Sequence, residues 1–328
     1  MLRAVVAARL AHVSGRFAPS PTGALHLGNL RTALAAWLAA RATGRGFVVR
    51  MEDLDQMTAS PAHAAAQLTD LAALGLDWDG EVVFQSERFD RYRAAIDELT
   101  AVGRVYPCFC TRREIRAEIA AAAAAPHGPV AGYPGTCRDL TARERAERSA
   151  AGRPAALRLR AGAERIAFVD HVAGPVETMA DDVVLARADG VPAYNLAVVV
   201  DDAAQGVTQV VRGDDLLEST GGQIVLQRLL RLPQPEYAHV PLVVDAAGQR
   251  LAKRAGPAHT AVTLADLAER GVPARAVMLR LARSLGLPAE GTATPAELAE
   301  TFAAVGFAAI PRTPCDVHRI ATELLPNR

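Results

Sequence analysis

The sequence predicts an α/β protein built on a parallel sheet, and two observations support this fold class. An apolar run that ends at Phe17 is followed by a Pro/Gly-rich loop, a run with helical spacing over residues 30–41 and a second apolar run over residues 47–51. Runs of β type return at residues 166–169 and 183–186. Strands that alternate with helices form parallel sheets, which bind ligands at the carboxyl ends of their strands. We therefore expect a ligand site in the loop after Phe17.

The composition limits the class of protein further. The chain has 328 residues, half of them hydrophobic, which is enough for one large or two modest domains. Basic and acidic residues balance at 36 each, so no overall field attracts nucleic acid or a membrane. No apolar run reaches the roughly 20 residues that cross a bilayer, and Arg3 and Arg9 interrupt the N-terminus too soon for a signal peptide. We expect a cytoplasmic protein without membrane contact and interpret residues 1–13 as an N-terminal extension.

Helix signals continue through the first half of the chain. Ser60 and Pro61 are typical of the first positions of a helix, which we expect to reach about residue 75. A second helix is predicted over residues 89–102. The block from residue 104 to about 153 has paired cysteines, an alanine run, a Pro/Gly-rich loop and a charged helix over residues 141–148. This change of composition is typical of an insertion.

The second half is predicted to return to strands and then to end in helices. The apolar runs predict strands over residues 166–169, 183–186, 193–200 and 208–211. A helix over about residues 215–232 follows. Beyond Arg254 we expect short helices without a strong strand, over residues 264–270, 274–285 and 295–304.

The loop RFAPSPTGALHLGNL, residues 16–30, ends where the first helix begins. A glycine at a helix entrance, here Gly28, lets a ligand approach the backbone, and the N–H groups there attract phosphate. His26 can donate a hydrogen bond to charge that develops on such a phosphate. For so short a pattern, a loop histidine with no catalytic role is the commoner interpretation.

A wider pattern changes that interpretation. The string PSPTGALHLGN resembles the nucleotide-binding HIGH motif of class I aminoacyl-tRNA synthetases, in the form used by the glutamyl branch. Other segments resemble the same family in the same order, at residues 49–55, 74–80, 85–88, 194–202 and 211–216. The resemblance covers about residues 14–260. It implies a Rossmann-like parallel sheet and an enzyme that uses ATP with Mg²⁺ as a substrate. It implies ATP contacts from His26, Gly28 and Asn29, where Asn29 replaces the second histidine of the motif.

A basic loop at residues 250–254 resembles the second signature of class I synthetases, named KMSKS. The resemblance implies that Lys253 neutralises the β,γ-phosphates of ATP as pyrophosphate leaves. His26 and Lys253 are then the catalytic residues. Arg250 replaces the first lysine of the signature and Ala252 its serine, and a basic surface loop without function would have a similar sequence.

Charge complementarity favours glutamate as the acid that is activated. Glutamate carries two carboxylates and one ammonium, so its pocket should offer about two cations and one anion, and arginine suits forked recognition of a carboxylate. Taken singly, each charged candidate is better explained as a surface or strand-end residue. The resemblance implies a joint role in glutamate binding for Arg16, Ala18, Ser20, Glu52, Tyr194 and Arg212.

Three of the four cysteines, Cys108, Cys110 and Cys137, lie within 30 residues of one another, and Cys315 stands alone. Three thiolates are one ligand short of a tetrahedral structural zinc site, and their spacing alone is as compatible with buried thiols. The short glutamyl-queuosine tRNA(Asp) synthetases, which the chain resembles most closely, supply a tyrosine in a C-x-C…Y-x-x-x-C arrangement. That tyrosine corresponds to Tyr133. The resemblance therefore implies one structural Zn²⁺ per chain.

The resemblance also implies a reaction. Members of this short family activate L-glutamate with ATP without requiring tRNA and transfer it to queuosine in the anticodon arm of tRNA(Asp). We expect the same of this chain, acting as a monomer. Two alternatives stay open: a truncated glutamyl-tRNA synthetase that charges the acceptor end of tRNA(Glu), and a non-catalytic paralogue that binds RNA or a nucleotide. A Rossmann dehydrogenase is disfavoured because the first turn lacks the G-x-G-x-x-G glycines.

These expectations define a domain plan. Residues 14–103 and 191–256 are the two halves of the catalytic domain, the second of which carries the KMSKS-like loop. Residues 104–190 form an inserted subdomain with the zinc site. Residues 257–328 are a short helical C-terminal region, too short for an anticodon-binding domain.

Overall fold

The computed structural model describes residues 13–123, 132–162, 164–245, 248–249, 251, 262–291 and 293–324. Its strands are β1 (Val13–Phe17), β2 (Gly46–Met51), β3 (Val83–Phe84), β4 (Val105–Cys108), β5 (Ala156–Leu159), β6 (Arg165–Asp170), β7 (Gly174–Met179), β8 (Val184–Ala186), β9 (Gln209–Gly213), β10 (Glu236–Val240), β11 (Val243–Val244) and β12 (Cys315–Asp316). Its helices are α1 (Leu27–Ala42), α2 (Pro61–Ala73), α3 (Phe89–Ala101), α4 (Arg112–Ala123), α5 (Ala142–Ala150), α6 (Tyr194–Ala204), α7 (Thr220–Leu229), α8 (Leu264–Glu269), α9 (Ala274–Ser284), α10 (Pro295–Val305) and α11 (Val317–Thr322). Short 3₁₀ helices lie at Gln85–Arg88, Asp214–Leu216 and Gly306–Ala309.

Parallel strand pairs form the centre of the fold. β2 pairs with β1 and β3, and β10 pairs with β9 and β6, all in parallel. β1 lies beside β9, which brings the two groups of strands together. The predicted α/β class with a parallel sheet is confirmed. The sheet also places Arg16, Arg50 and Arg212 in the last residues of β1, β2 and β9.

Helix α1 packs closely on β1 because its buried face is made largely of alanine and leucine. Gly15 of β1 allows this approach, since a Cβ atom at that position would lie 3.1 Å from the Cβ of Ala40. The strand–loop–helix–strand order predicted for the opening is confirmed. The loop between β1 and α1 is thus held at both ends by buried elements.

The region between α3 and β9 contains an antiparallel sheet of β4, β5 and β8. A small apolar cluster accompanies it, which we call the cysteine cluster core: Tyr106, Cys108, Phe109, Tyr133 and Cys137. The charged helix predicted there is confirmed as α5, and Thr141 caps it by accepting a hydrogen bond from the Glu144 N–H at 3.3 Å. This core is small and shares none of its buried residues with the two larger apolar clusters.

The C-terminal region packs against helix α1 through α9 and α10. The predicted helices are confirmed, and the two-residue strand β12 is an element beyond them: it pairs in parallel with β11. Buried Arg31 of α1 ties these parts together, because it donates to the carbonyl of Pro241 (2.8 Å) and to that of Ser284 (3.1 Å). No helix among the described residues is long and apolar enough to cross a membrane.

The strand predicted over residues 193–200 is wrong, because these residues lie at the end of a loop and in α6. A continuous apolar run is typical of both buried strands and buried helices, and three consecutive valines favoured the strand. The helix places Asp201 and Asp202 where they pair with buried arginines from distant elements. Such tertiary contacts override the β preference of valine. The helix predicted over residues 215–232 is confirmed in part, as a 3₁₀ turn followed by α7.

Candidate active site

His26 is the N-cap residue of α1. Its Nδ1 accepts hydrogen bonds from the backbone N–H groups of Gly28 (3.1 Å) and Asn29 (3.3 Å), and the Asn29 side-chain oxygen accepts from the His26 N–H at 3.3 Å. This reciprocal arrangement is a capping box, which satisfies N–H groups that no helix carbonyl can reach. Because Nδ1 accepts, a neutral His26 carries its proton on Nε2. Asn29, which departs from the family motif, therefore has a structural role here.

The loop that precedes His26 is fixed by a buried glutamine. The Gln67 side chain donates to the carbonyls of Ser20 (3.1 Å) and Gly23 (2.8 Å). The Pro19 carbonyl accepts from the Glu52 N–H at 2.9 Å, so the half-buried residues Ala18 and Ser20 flank the point where the loop meets Glu52. The backbone of the loop is thus set by contacts with α2 and with the end of β2.

The segments on either side of the KMSKS-like loop meet the opening motif. Val243 of β11 lies against Gly28, where an added Cβ atom would be 3.3 Å from the Val243 Cβ. On the other side of the loop, the Val262 carbonyl accepts from the Leu27 N–H at 3.0 Å, and Thr263 forms a β-bridge with His26. The predictions for Arg250, Ala252, Lys253 and Arg254 concern residues outside those that the structure describes.

A buried network of charges lies at the ends of β1 and β2. Asp202 of α6 accepts from Arg16 Nε at 3.3 Å and from Arg50 Nη1 at 2.8 Å, and Arg50 Nη2 contacts Glu52 at 3.4 Å. Burial alone would raise the pKa of Asp202, but the two arginines hold it below its ordinary value. Burial raises the pKa of Glu52 despite Arg50 and Arg16. Asp202 is therefore the carboxylate that neutralises the arginines, while Glu52 is the more readily protonated one.

Arg212 of β9 is held by a second buried group. Its Nε donates to His239 Nε2 at 3.0 Å and its Nη2 donates to Thr220 Oγ1 at 2.8 Å. His239 Nδ1 lies 2.6 Å from Asp170 Oδ2. The Arg212 guanidinium also lies 5.5 Å from the centre of the Tyr237 ring. The orientation of Arg212 is thus fixed from several directions.

The candidates for glutamate binding lie close enough to affect the pKa values of the same groups. Burial raises the pKa of Tyr194, and Arg212, Glu52 and Arg16 also act on it. Arg16 and Arg212 both act on Asp202. The structure therefore brings together Arg16, Glu52, Tyr194 and Arg212, although up to 196 positions separate them along the chain, from Arg16 to Arg212.

Several residues of this site were not identified from the sequence. Arg50 and Asp202 stand inside segments that carry the family resemblance, so their charge in an apolar context was the available signal. His239 and Asp170 stand outside those segments. The only sequence signal for this pair was a lone histidine within the apolar strand β10. The sequence does not reveal that β10 lies between β9 and β6, which brings His239 next to Asp170.

The cysteine candidates also come together. The thiols of Cys108, Cys110 and Cys137 all lie within 4.8 Å of one another. The Tyr133 hydroxyl is 3.2 Å from Cys108 Sγ and 3.7 Å from Cys110 Sγ, and it accepts from the Cys137 N–H at 2.9 Å. Tetrahedral zinc with Zn–S bonds of about 2.3 Å would separate its ligands by about 3.8 Å. The four side chains therefore have the spacing of one coordination sphere.

The chemistry around the cysteines fits a metal ion as well. Burial raises the pKa of Cys110 to about 12, so metal binding there would release protons. Two arginines approach the donors: Arg148 Nη1 lies 3.6 Å from Cys137 Sγ, and the Arg158 guanidinium lies 3.9 Å above the Tyr133 ring. Cations at this distance offset the negative charge of thiolate ligands. The cluster can hold a metal ion. Cys315 lies elsewhere, on β12.

The parallel sheet, the capped helix entrance and the buried arginines define a class of protein. The family described as "tRNA synthetases class I (E and Q), catalytic domain" matches residues 12–314. A crystal structure of a glutamate tRNA ligase from Elizabethkingia meningosepticum, in complex with its amino acid, is similar with a TM-score of 0.76 and 25% identity; the match covers 95% of this chain and 68% of that one.

The curated relatives are more specific. A glutamyl-Q tRNA(Asp) synthetase from Nocardia farcinica is 58% identical over 92% of this chain and 92% of its own length. One from Cutibacterium acnes is 51% identical over 95% of this chain and 85% of its own length. The chain belongs to the class I tRNA synthetases and, within them, to the glutamyl-Q tRNA(Asp) synthetase family. It is a ligase enzyme.

Proposed function

We propose that the protein activates L-glutamate with ATP, without requiring tRNA, and transfers the glutamate to queuosine in the anticodon arm of tRNA(Asp). The observation that carries the proposal is the meeting of Arg16, Glu52, Tyr194 and Arg212 at one edge of the sheet. Two cations and one anion complement the two carboxylates and the ammonium of glutamate. The names of the relatives from Nocardia farcinica and Cutibacterium acnes support the choice of acceptor.

The first step joins the two small substrates. An oxygen of the glutamate carboxylate attacks the α-phosphorus of ATP, the bond to the bridging oxygen breaks, and pyrophosphate leaves with Mg²⁺. The glutamate pocket and the entrance of α1 flank one loop, so the attacking and the receiving group are held close together. His26 Nε2 donates a hydrogen bond to the charge that develops on the phosphate. Gly28 and Asn29 contact ATP at the same helix entrance, although their N–H groups are already bonded to His26. Asn29 holds His26 in place.

The amino-acid composition supports a special role for Lys253. It is the one lysine among 36 basic residues, so this chain uses arginine everywhere else. A compact ammonium on a flexible stem differs from a planar guanidinium and can follow the departing pyrophosphate. The retention of lysine at the position that resembles the KMSKS lysine supports its catalytic role. Val262 and Thr263, which follow this loop in the sequence, contact the opening motif.

In the second step a hydroxyl of the cyclopentenediol of queuosine attacks the carbonyl of the mixed anhydride. An ester forms, AMP leaves, and the hydroxyl proton passes to solvent or to AMP. Arg112, Arg113 and Arg116 are exposed on α4 next to the cysteine cluster and can contact RNA phosphates. A solvated helix face is an equally good explanation of these three arginines, so the transfer step does not depend on them.

The cysteine cluster is proposed to bind one structural Zn²⁺ through Cys108, Cys110, Cys137 and Tyr133. When bound, zinc would cross-link the segments before α4 and before α5, and it takes no part in the reaction. We also propose the domain plan in which residues 104–190 are an insertion between the catalytic halves 14–103 and 191–256. Residues 257–328 then form the C-terminal region.

The test separates activation from transfer. Purified protein is assayed for glutamate-dependent ATP–pyrophosphate exchange without tRNA, and then for transfer of labelled glutamate to tRNA(Asp) with and without queuosine. We expect exchange without tRNA and label only on the queuosine-containing tRNA(Asp). Label on tRNA(Glu) would identify a truncated glutamyl-tRNA synthetase, which the similarity to glutamate tRNA ligases favours as the second candidate. Failure of exchange would indicate a non-catalytic paralogue. Arg212→Leu should abolish exchange, and the exposed Arg228→Leu is its matched control.

A further inference from the structure

Arg212 uses two of its three guanidinium nitrogens in hydrogen bonds within the protein, and the third, Nη1, can donate to a ligand. Nε donates to His239 and Nη2 donates to Thr220, whose hydroxyl in turn donates to the Leu216 carbonyl at 3.1 Å. Nη1 has no hydrogen-bond partner within the part of the chain that the structure describes. Arg212 is only 5% exposed, so rotation into water is not available to it. The direction of Nη1 therefore depends on the two acceptors.

The acceptor on His239 exists only in one tautomer. Nε2 must be unprotonated to accept from Arg212, so the proton must be on Nδ1. Nδ1 lies 2.6 Å from Asp170 Oδ2, and a carboxylate accepts but cannot donate. Burial lowers the pKa of His239 although Asp170 raises it, which keeps the ring neutral. The Tyr237 ring stacks on the imidazole with centres 6.1 Å apart and an angle of 15° between the planes.

Asp170 is itself held rigidly. Its Oδ1 accepts from the backbone N–H groups of Val172 (2.9 Å) and Ala173 (2.8 Å), and the His239 N–H donates to Oδ2 at 3.1 Å. Burial alone would raise the pKa of Asp170, but these hydrogen bonds hold it below its ordinary value. Asp170 is 1% exposed and stays ionised. Its position at the end of β6 is therefore fixed before any substrate binds.

We infer that Asp170 and His239 are positioning residues for substrate recognition: Asp170 selects the His239 tautomer that accepts from Arg212 Nε, and this directs Arg212 Nη1 at a carboxylate of glutamate. The inference rests on the proposed function, in which Arg212 binds glutamate. Neither residue touches the substrate. Their effect is expected to be specific to glutamate, because the residues proposed to contact ATP, His26 to Asn29, lie at the other end of the opening loop from Arg16.

A matched pair of variants at His239 tests the acceptor. In His239→Gln the side-chain oxygen can take the place of Nε2 and accept from Arg212. In His239→Asn the shorter side chain can still donate to Asp170 and leaves Arg212 Nε without an acceptor. Both variants remove the same ring from beside Tyr237, so they share the loss of packing.

Asp170→Asn tests the tautomer. The backbone donors on Oδ1 require the amide oxygen at that position, and the His239 N–H, 3.2 Å from Oδ1, keeps this acceptor too. The amide nitrogen therefore replaces Oδ2 and donates to His239 Nδ1. His239 then carries its proton on Nε2, which faces the Arg212 Nε–H donor to donor. The side chains of Asp and Asn have nearly the same shape, and a reversed tautomer is the expected effect of such a change.

The readout is the KM for glutamate and the KM for ATP in pyrophosphate exchange, with thermal unfolding as a check of folding. We expect His239→Asn and Asp170→Asn to raise the KM for glutamate about 10- to 100-fold, the effect of losing a hydrogen bond to a charged group. His239→Gln should restore it to within about threefold of the parent, and the KM for ATP should change less than about threefold throughout.

The outcomes separate the inference from the proposed function. If the parent protein shows no glutamate-dependent exchange, the proposed function fails and the inference fails with it. If the parent is active and His239→Asn has an unchanged KM for glutamate, the inference alone is overturned. Equal losses in His239→Gln and His239→Asn, with both KM values affected, would also overturn it in favour of a purely structural role. The His239 pair decides the matter even if Asp170→Asn does not fold.

Discussion

The proposed glutamate pocket and the cysteine cluster are assembled in opposite ways. The pocket joins residues from β1, β2, α6 and β9, and Arg16 meets Asp202 across 186 positions of sequence. The cluster joins donors within 30 positions, and its apolar core is small. The pocket contains its own counter-charges, since Asp202 neutralises Arg16 and Arg50. The cluster gathers thiols that would repel one another if all were ionised, so they can be thiolates together only beside a cation.

This difference indicates how each region depends on its ligand for stability. Ion pairs within the pocket are present without substrate, and the residues that form them are buried. Three adjacent thiolates are stable only with a metal ion, and metal binding then contributes directly to folding of that region. We therefore expect chemical changes at the pocket to alter kinetics, and changes at the cluster to alter local stability.

The largest expected effect is at Lys253, the residue proposed to contact ATP. Lys253→Ala should lower kcat of pyrophosphate exchange about 10²- to 10³-fold, the usual effect of removing a group that stabilises transition-state charge. Lys253→Arg should also be impaired, although arginine serves as the cation everywhere else in this chain. Exchange kinetics measure both. A fully active Lys253→Ala protein would contradict the assignment.

A second prediction addresses the cluster. Cys137→Ser should reduce bound zinc below about half an equivalent per chain and increase protease cleavage in the insertion, because one of about four ligands is lost. Pyrophosphate exchange should persist while transfer to tRNA falls. Elemental analysis and limited proteolysis measure these effects. Cys315→Ser is the control, since Cys315 lies on β12 far from the other thiols in sequence and should leave zinc unchanged. Zinc that stays bound in Cys137→Ser would count against the site.

The third prediction uses the contrast between two carboxyl groups of the pocket. The pKa of Glu52 is raised by burial, whereas the arginines keep the pKa of Asp202 low. Only ionised Glu52 attracts the glutamate ammonium, so the KM for glutamate should rise as the pH falls through the raised pKa, by about tenfold per pH unit below it. Glu52→Gln should have a weaker affinity that does not vary with pH in this range. A parent KM that does not rise at any acidic pH at which the protein stays folded would refute this role.

The smallest effect is expected at Asn29. Asn29→Ala removes half of the capping box and should cost about 0.5–1 kcal/mol of stability, measured by denaturant unfolding. Asn29→Asp keeps an oxygen that can accept from the His26 N–H and is the matched control. If both variants unfold like the parent, the capping contact does not contribute to stability.

The motif segments read from the sequence serve two different purposes in the fold. Some supply the pocket, as with Glu52 and Arg212. Others hold the scaffold: Arg88 Nε and the Tyr92 hydroxyl both bind Asp201, at 2.7 and 2.6 Å, and Asp79 accepts from the Phe47 N–H at 2.7 Å. The family resemblance identified the segments that supply the pocket and those that hold the scaffold without distinguishing them. The sequence does not distinguish the two roles, because they depend on which side chains face the pocket in the folded protein.

Local patterns predicted the helices and most strands well, since spacing and caps are local properties. The misassigned strand over residues 193–200 and the unrecognised pair of Asp170 and His239 have a common cause. Both depend on partners more than 60 positions away, which no local pattern contains. The functional roles of the site residues and the domain plan remain predictions.

The pairing of β12 with β11 determines how late in synthesis this part of the fold can be completed. β11 directly precedes the KMSKS-like loop, yet its partner strand follows about 70 residues later, and Arg31 of α1 binds the Ser284 carbonyl from the same late region. A ribosome adds residues in order, so the opening motif emerges long before its support. The nascent chain therefore contains both signature motifs before it contains the strand that pairs with β11 and the carbonyl that accepts from Arg31.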